Sequence, residues 1–553
     1  MSPSGKMVYV TMPRWQHLLV LGTLLVIAAA EEEVKASPVA VAISVMLMGS
    51  IGFQMLMFYL VNWPDRDIQR YSWQVISNTI SIFSAVLLFQ AFNSIVEEKL
   101  IEGTSPIVEV VIDISQMLFW LIMMQIVLAV TSGAIQEIIG GAEPDMEKVE
   151  LNLKSWSVLF SHIAGFSTIN AWGSLQQKFF MGSALQTLLV VPLGYIGLSI
   201  VYKLLDLVRE HIAQMDDGEK DEFEEKWDEE TEEAENDVAG LSLSFLTVQA
   251  LRFHISGILP NQEGIEDWED SISHGGEQWR SLLLCALVFF MLSLLVLNSE
   301  RFVKEPSEHL ERAIEILNNY FTFGMCWCLF YGVRWAISST QFTEENALLM
   351  VVIAMFLSAA GFSFIFVLDK IQDNNLFGDD AEMATAAVEK LISGLGILIG
   401  FSWEQSFDTA VGVVAAGMKL ECPPLVSKMV MSMVLVLLVF PAWRNYILTT
   451  EQELNEEVTE EGAQKATLKR YAEQHFNLFM THQTSEHDLD KAHLLMKKHR
   501  RTAHGLRHTG RAPDGLKHLQ VTAHGVTEVD DQHHGKKRGT HQGRGDLAVS
   551  LLG

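Results

Sequence analysis

The sequence predicts an all-α polytopic integral membrane protein with two sequence-related repeats of about five spans each. Three observations carry that prediction. Apolar runs fall near 15–30, 38–62, 74–96, 107–135, 182–208, 280–298, 316–338, 347–369, 386–402 and 424–447. Most of them reach the roughly 20 residues that a helix needs to cross about 30 Å of hydrocarbon. The charge is segregated from these runs, so a chain that is 49% hydrophobic, with mean hydropathy +0.21, still carries a net charge of −29. Finally, two anchors recur in order. Gly165-Phe166-Ser167 matches Gly400-Phe401-Ser402 at a displacement of 235 (400 − 165), and Asn78 matches Asn319 at 241 (319 − 78). Internal repeats of this length are common in transporters. A closed β-barrel is excluded, because the runs are continuously apolar rather than alternating.

Residues 1–37 form an N-terminal segment. Lys6 and Arg14 precede the apolar block 18–30, which ends in three alanines before Glu31-Glu32-Glu33. That pattern fits a cleaved secretory signal and a short first membrane helix equally.

Membrane repeat 1 spans 38–208 and membrane repeat 2 spans 279–447. Each runs through a long span, a charged loop, a second span, an acidic loop, a third span, a polar loop, a short Gly-Phe-Ser segment and a final span. Five spans per repeat would invert the halves, whereas four or six would leave them parallel. Loop Lys/Arg counts do not decide the orientation.

Between the repeats, 209–278 reads as an acidic linker. Residues 216–237 hold fourteen Asp/Glu against Lys220 and Lys226, a density that favours a solvated segment. Its spacing does not fit a calcium loop. Residues 240–259 are apolar but contain Arg252 and His254, which are costly at the bilayer centre. An amphipathic helix lying at the interface is therefore expected there.

After the last span, 448–490 has the composition of a soluble helical segment. The tail 491–553 is basic and His-rich, and no aromatic residue follows Phe479. It is expected to be disordered, without specific nucleic-acid binding.

No catalytic constellation is present: there is no zincin motif, phosphate loop or nucleophile elbow. The chain is read as a non-enzyme that needs no cofactor and holds no metal. Four cysteines, with Cys326 and Cys328 inside one apolar run, make no disulfide framework.

Function is therefore sought at the paired Gly-Phe-Ser segments. Ser161 and Gly165 in the first, and Gly396 and Gly400 in the second, form small-x-x-x-small pairs suited to close helix packing. Ser167, Asn170 and Gln176 follow in one half, and Ser402, Glu404, Gln405 and Asp408 in the other. Polar groups at membrane depth need partners or water, so matching polar-ended segments mark a substrate or ion pathway facing the pseudo-symmetry axis. Asp113, four residues beyond Glu109 on one helical face, and His162 extend the candidate set. Arg334, late in its span, is expected to snorkel to the surface.

These features favour a transporter or permease for a small solute or ion, in a membrane whose identity the sequence leaves open. The alternatives are a membrane scaffold acting through its acidic linker and basic tail, or a channel with re-entrant helices. The bilayer is the one partner implied.

Overall fold

Helix-starting chemistry recurs along the chain. Ser37 caps α1 (Pro38–Val61), its hydroxyl accepting from the Ala40 amide at 3.2 Å, and Pro38 occupies a position where no amide hydrogen is needed. Asp65 caps α2 (Arg66–Val96), which continues through a π turn, Glu97–Ile101. The helix α3 (Pro106–Ser132) again begins on proline and ends at Gly133, whose φ of 88° suits a residue without Cβ. There follow α4 (Met146–Phe179) and α5 (Ala184–Ala213). Next is α6 (Glu222–Ser256), opened by a reciprocal capping box between Asp221 and Glu224. The second half contains the short α7 (Trp268–Ser273), then α8 (Gly276–Ser299), α9 (Glu308–Ser338), α10 (Asn346–Asp373), α11 (Ala381–Gly417) and α12 (Pro424–Ala442). A π turn, Trp443–Ile447, extends α12. The structure, a computed structural model, describes residues 37–135, 146–215, 220–299, 308–340, 346–373, 381–417, 424–455, 518–522 and 525–529. The block 15–30 therefore lies outside the described residues.

The helical body ends at Leu454. In the remaining unit, β1 (His518–Thr522) pairs antiparallel with β2 (Gly525–Val529). The rest of the segments expected to be helical at 448–490 and disordered at 491–553 falls outside the described residues, apart from 448–455, which continue α12.

Among the described residues, eight helices are long and apolar enough to cross a membrane: α1, α2, α3, α5, α6, α8, α10 and α12. Eight candidate spans point to a multi-pass membrane protein. The other long helices, α4, α9 and α11, are packed among them.

Contacts at both ends give the helix directions. Arg70 meets Glu389 near the starts of α2 and α11, and Phe83 meets Phe407 further along both. Asn93 and Asn170 pair late in α2 and α4. Lys154 and Glu233 pair early in α4 and α6, and Asp237 and Asn319 pair early in α6 and α9. Five helices, α2, α4, α6, α9 and α11, thus run the same way through the interior. The others run against them: Gln125 of α3 reaches Glu235 of α6, and Lys428 at the start of α12 reaches Asp408 late in α11.

Several expectations are corrected. The interfacial amphipathic helix at 240–259 is instead the second half of α6, which sits in the core, with every residue from Val238 to Ala250 buried. Arg252 is not lipid-exposed: its guanidinium bonds Glu266 at 2.5 Å and the Gly264 carbonyl at 3.0 Å, and lies 3.6 Å over the Tyr331 ring. An internal partner removes the cost that argued for the interface. The acidic linker is likewise folded from Asp221 onward. Glu235 is fully buried between Arg209 (2.8 Å) and Arg312 (2.7 Å). Arg334 is buried rather than snorkelling.

The Gly-Phe-Ser segments are not short or re-entrant. They lie inside uninterrupted helices of 34 and 37 residues. Their glycines are contact points: a Cβ on Gly165 would lie 2.7 Å from Leu241, one on Gly396 2.7 Å from Asn78, and one on Gly400 2.1 Å from Ile82. The packing role of Gly165, Gly396 and Gly400 thus rests on van der Waals distance. Ser161 is buried and bonds back to Val158.

Candidate functional site

At mid-height the interior is closed by aromatic rings. Phe166 and Phe401, the central residues of the two Gly-Phe-Ser motifs, stack at 5.9 Å with their planes 10° apart. Trp327 stands edge-on to Phe401 at 4.8 Å, Phe330 at 4.9 Å, and Phe245 edge-on to Trp327 at 5.1 Å. The gap left beside them is about 10 Å³ and wholly apolar, which is too little to hold water comfortably.

Toward the carboxyl ends of the core helices the lining changes character. A cavity of about 20 Å³, the space of one water molecule, has Phe166 and Phe401 in its wall together with Gln90, Asn170, Gln262, Glu263 and Gln405. Four of these are carboxamides, and each is tied to a carboxylate. With its amide nitrogen turned to the acids, Gln90 donates to Glu404 Oε1 and Asp408 Oδ1, both at 3.1 Å. Gln405 donates to Glu404 Oε2 at 3.0 Å. Asn170 Nδ2 donates to Asp113 Oδ1 at 3.1 Å and Asn93 Oδ1 at 3.3 Å. Gln262 and Asn93 both donate to Glu97 Oε1, at 3.3 and 3.1 Å.

The chemical consequence is directional. A carboxamide whose nitrogen is committed to a carboxylate has its carbonyl oxygen left to offer. Asn170 Oδ1 is such an oxygen: it is buried and has no protein partner. Neutral oxygens at the wall, backed by negative charge, suit a cation and repel an anion.

Loop residues 257–267 complete the site from outside the helices. Gly257 (φ 77°) and Gly264 (φ 80°) bend it back over the cavity, and Asn261 holds the bend by accepting from the amides of Glu263 (3.1 Å) and Ile265 (2.7 Å). Burial, with the charges of Glu97 and Asp408, pushes the Glu263 carboxyl up to about 7. Its neighbour behaves oppositely. Burial alone would raise Glu266, but Arg252, His274 and the Trp335 indole bring it down to about 2. Glu266 accepts from Arg252 at 2.5 Å, meets His274 at 3.0 Å and accepts from Trp335 Nε1 at 2.9 Å. That cluster fastens the loop to α6 and α9.

Of the predicted site residues, Asn170, Glu404, Gln405, Asp408 and Asp113 are brought together here. The rest are not. Gln176 donates to the carbonyls of Thr187 (3.0 Å) and Leu246 (3.2 Å), clamping α4 to its neighbours. Ser402 bonds back to Ile399 at 2.7 Å. Ser167 and His162 are buried in α4 but do not line the cavity. Glu109 is taken up by Lys178 at 2.9 Å.

Residue-level reading missed Gln90, Asn93, Glu97, Gln262, Glu263 and Lys428. The polar file Asn78, Ser81, Gln90 and Asn93 within the apolar α2 was a usable signal. Lys428, the ammonium that meets Asp408 at 2.7 Å, was hidden among the apolar residues of α12.

Among the described residues, the one trio with ligand oxygens within 4.8 Å of one another is Asp65, Asp67 and Asp369, none of which lines the cavity. No known family profile, curated protein or solved structure matches the chain.

Proposed function

We propose that this protein is a membrane carrier for protons or small monovalent cations, and that the cation occupies the carboxamide-walled cavity beside Phe166 and Phe401. The observation that carries this reading is the buried, unpartnered Asn170 Oδ1 in the wall of a water-sized cavity, with Glu97, Asp113, Glu404 and Asp408 behind the wall. Organic ligands need pockets of roughly 300–1,000 Å³, so the size of the cavity argues against an organic solute. Separated carboxylates argue against a divalent ion, which prefers several directly bound carboxyl oxygens.

In this reading the conformation is occluded. The aromatic cluster blocks passage toward the amino ends of the core helices. Beyond it lies an ion-paired barrier: Asn319 donates to Asp237 at 2.9 Å, Lys390 meets Glu315 at 3.4 Å, and Arg312 spans Glu235 and Asn236. The loop carrying Glu263 covers the other side. Transport would open these two closures in turn.

The halves are read as repeats related by an axis along the bundle. Supporting this, α2 and its counterpart α9 run the same way, as do α4 and α11, because α6 adds a sixth pass between the halves. The stacked pair Phe166–Phe401 would lie on that axis.

Purified protein in liposomes, loaded with a pH-sensitive or Na⁺/K⁺-sensitive dye, tests the proposal. Imposed proton, Na⁺ or K⁺ gradients should dissipate faster than in empty vesicles, and Glu404→Gln should abolish the difference. Equal rates for protein-containing and empty vesicles would return the protein to the scaffold class.

A further inference from the structure

The acids behind the cavity wall already meet a cation of the protein's own. Lys428, in the first turns of α12, places its ammonium 2.7 Å from Asp408 Oδ1. Asp408 in turn shares the Gln90 amide with Glu404. The field of Lys428 also reaches Glu97, Glu263 and Glu404. Two other basic groups at this end of the bundle are engaged elsewhere. Lys178 bonds Glu109 at 2.9 Å, and Arg252 bonds Glu266. Glu97, Glu263, Glu404 and Asp408 therefore all lie in the field of the Lys428 ammonium.

Lys428 is also built to move. Its side chain is 28% exposed, and Asp408 is 24% exposed. A long, flexible stem with a compact, strongly hydrated head can leave a half-open site more cheaply than a fully buried guanidinium can. By contrast, the Arg252–Glu266 pair is about 1% exposed on both sides. That pair is suited to fastening; the Lys428–Asp408 pair is suited to exchange.

We infer that the Lys428 ammonium is a tethered counter-ion that holds the acid site in the absence of substrate, and that an entering monovalent cation displaces it from Asp408. The inference rests on the cation-carrier reading and deepens it by naming the competitor for the site. Displacement is an exchange of one positive charge for another, so the cluster keeps its net charge through the step. A neutral solute could not replace the ammonium, and an anion would be repelled by the same carboxylates.

The test uses the full-length protein in lipid nanodiscs. Thermal unfolding is followed as N-methyl-glucamine chloride is replaced by NaCl or KCl at constant ionic strength. For the wild type, the transition temperature should rise with Na⁺ or K⁺ and saturate. Lys428→Gln removes the competitor, so the half-saturating concentration should fall about tenfold, within the range usual for coupled sites. Lys428→Arg, which keeps a cation at the site, should not lower the midpoint, and Lys226→Gln, at the opposite end of α6, should keep the wild-type value.

An unchanged midpoint in Lys428→Gln, or a saturable response lost in it, overturns the inference while leaving the carrier reading in place. No cation response in any variant, with flux still measured in liposomes, overturns the assignment of the cation to this cavity. No response and no flux removes both readings.

Discussion

Replacing Gly400 by alanine is the sharpest test of how the interior is assembled. The new methyl would lie 2.1 Å from Ile82 Cγ2 and 2.9 Å from both the Cα and the carbonyl oxygen of Thr79. Carbon atoms in good contact are about 3.5–4.0 Å apart. Ile82 can answer by leaving its rotamer, at roughly 0.5–1.5 kcal/mol. Thr79 cannot, because the encroached atoms are backbone, so α2 and α11 must separate. Overpacking of this kind typically costs about 1–3 kcal/mol. Alanine returns up to about 1 kcal/mol through its better helix propensity, which leaves a net loss of up to about 2 kcal/mol. Gly412 lies in the same helix with nothing within 4 Å of its added Cβ. There only the propensity term remains, and Gly412→Ala should stabilise by about 0.5–1 kcal/mol. Reversible unfolding in mixed detergent micelles, with both variants beside the wild type, measures the difference. Equal stability of the two variants would refute the claim that α2 and α11 meet through Gly400.

Three further outcomes are expected. Glu266→Leu strands the fully buried Arg252 guanidinium, and should cost about 3–5 kcal/mol and expose the loop 257–275 to protease; unaltered protease resistance would contradict the fastening role. Because Glu266 is held at about 2, its contribution is complete above the ordinary carboxyl pKa and is lost only as pH falls toward 2. Glu263 runs the other way. With its carboxyl near 7, the folded state retains a proton that the unfolded chain releases near pH 4.3, so stability falls as pH rises between those values. Glu263→Gln should flatten that slope, by of order 2 kcal/mol at pH 8, in unfolding measured from pH 5 to 8. Finally, Phe401→Ala removes one face of the Phe166 stack and should turn slow exchange into a cation leak; a liposome permeability no higher than wild type would argue against the aromatic closure.

Much of the membrane body is legible in the sequence because span length is a direct physical requirement. Helices α1, α3, α5, α8, α10 and α12 coincide with apolar runs, as they must if lipid faces them. The interior helices are less legible for the complementary reason. In α4 and α11, serines, asparagines and glutamines interrupt the apolar run, and the partners that satisfy them, such as Asp113 for Asn170, are remote in sequence. The most instructive case is α6. Read locally, the ten acids of its first half followed by Arg252 argue for a solvated stretch of chain and a surface helix. Glu235 is nevertheless fully buried, because Arg209 and Arg312 arrive from α5 and α9. Within the site, Asn170, Glu404, Gln405 and Asp408 were readable from their motif. Gln90 and Lys428 were not, since a lone polar residue in a span gives no sign of what it faces.

The placement of α6 bears on how the chain enters the membrane at all. A helix that opens with acids and carries Arg252 near its end is a poor guest for lipid when it leaves the ribosome. The arginine of α5 that pairs with it has already been made, but the Arg312 and Asn319 of α9 have not. Integration of α6 is therefore incomplete until α9 is complete, 82 residues (338 − 256) after α6 ends. During that interval the nascent chain should depend on the insertion machinery to shelter α6, and truncation anywhere before α9 should yield a product that is degraded.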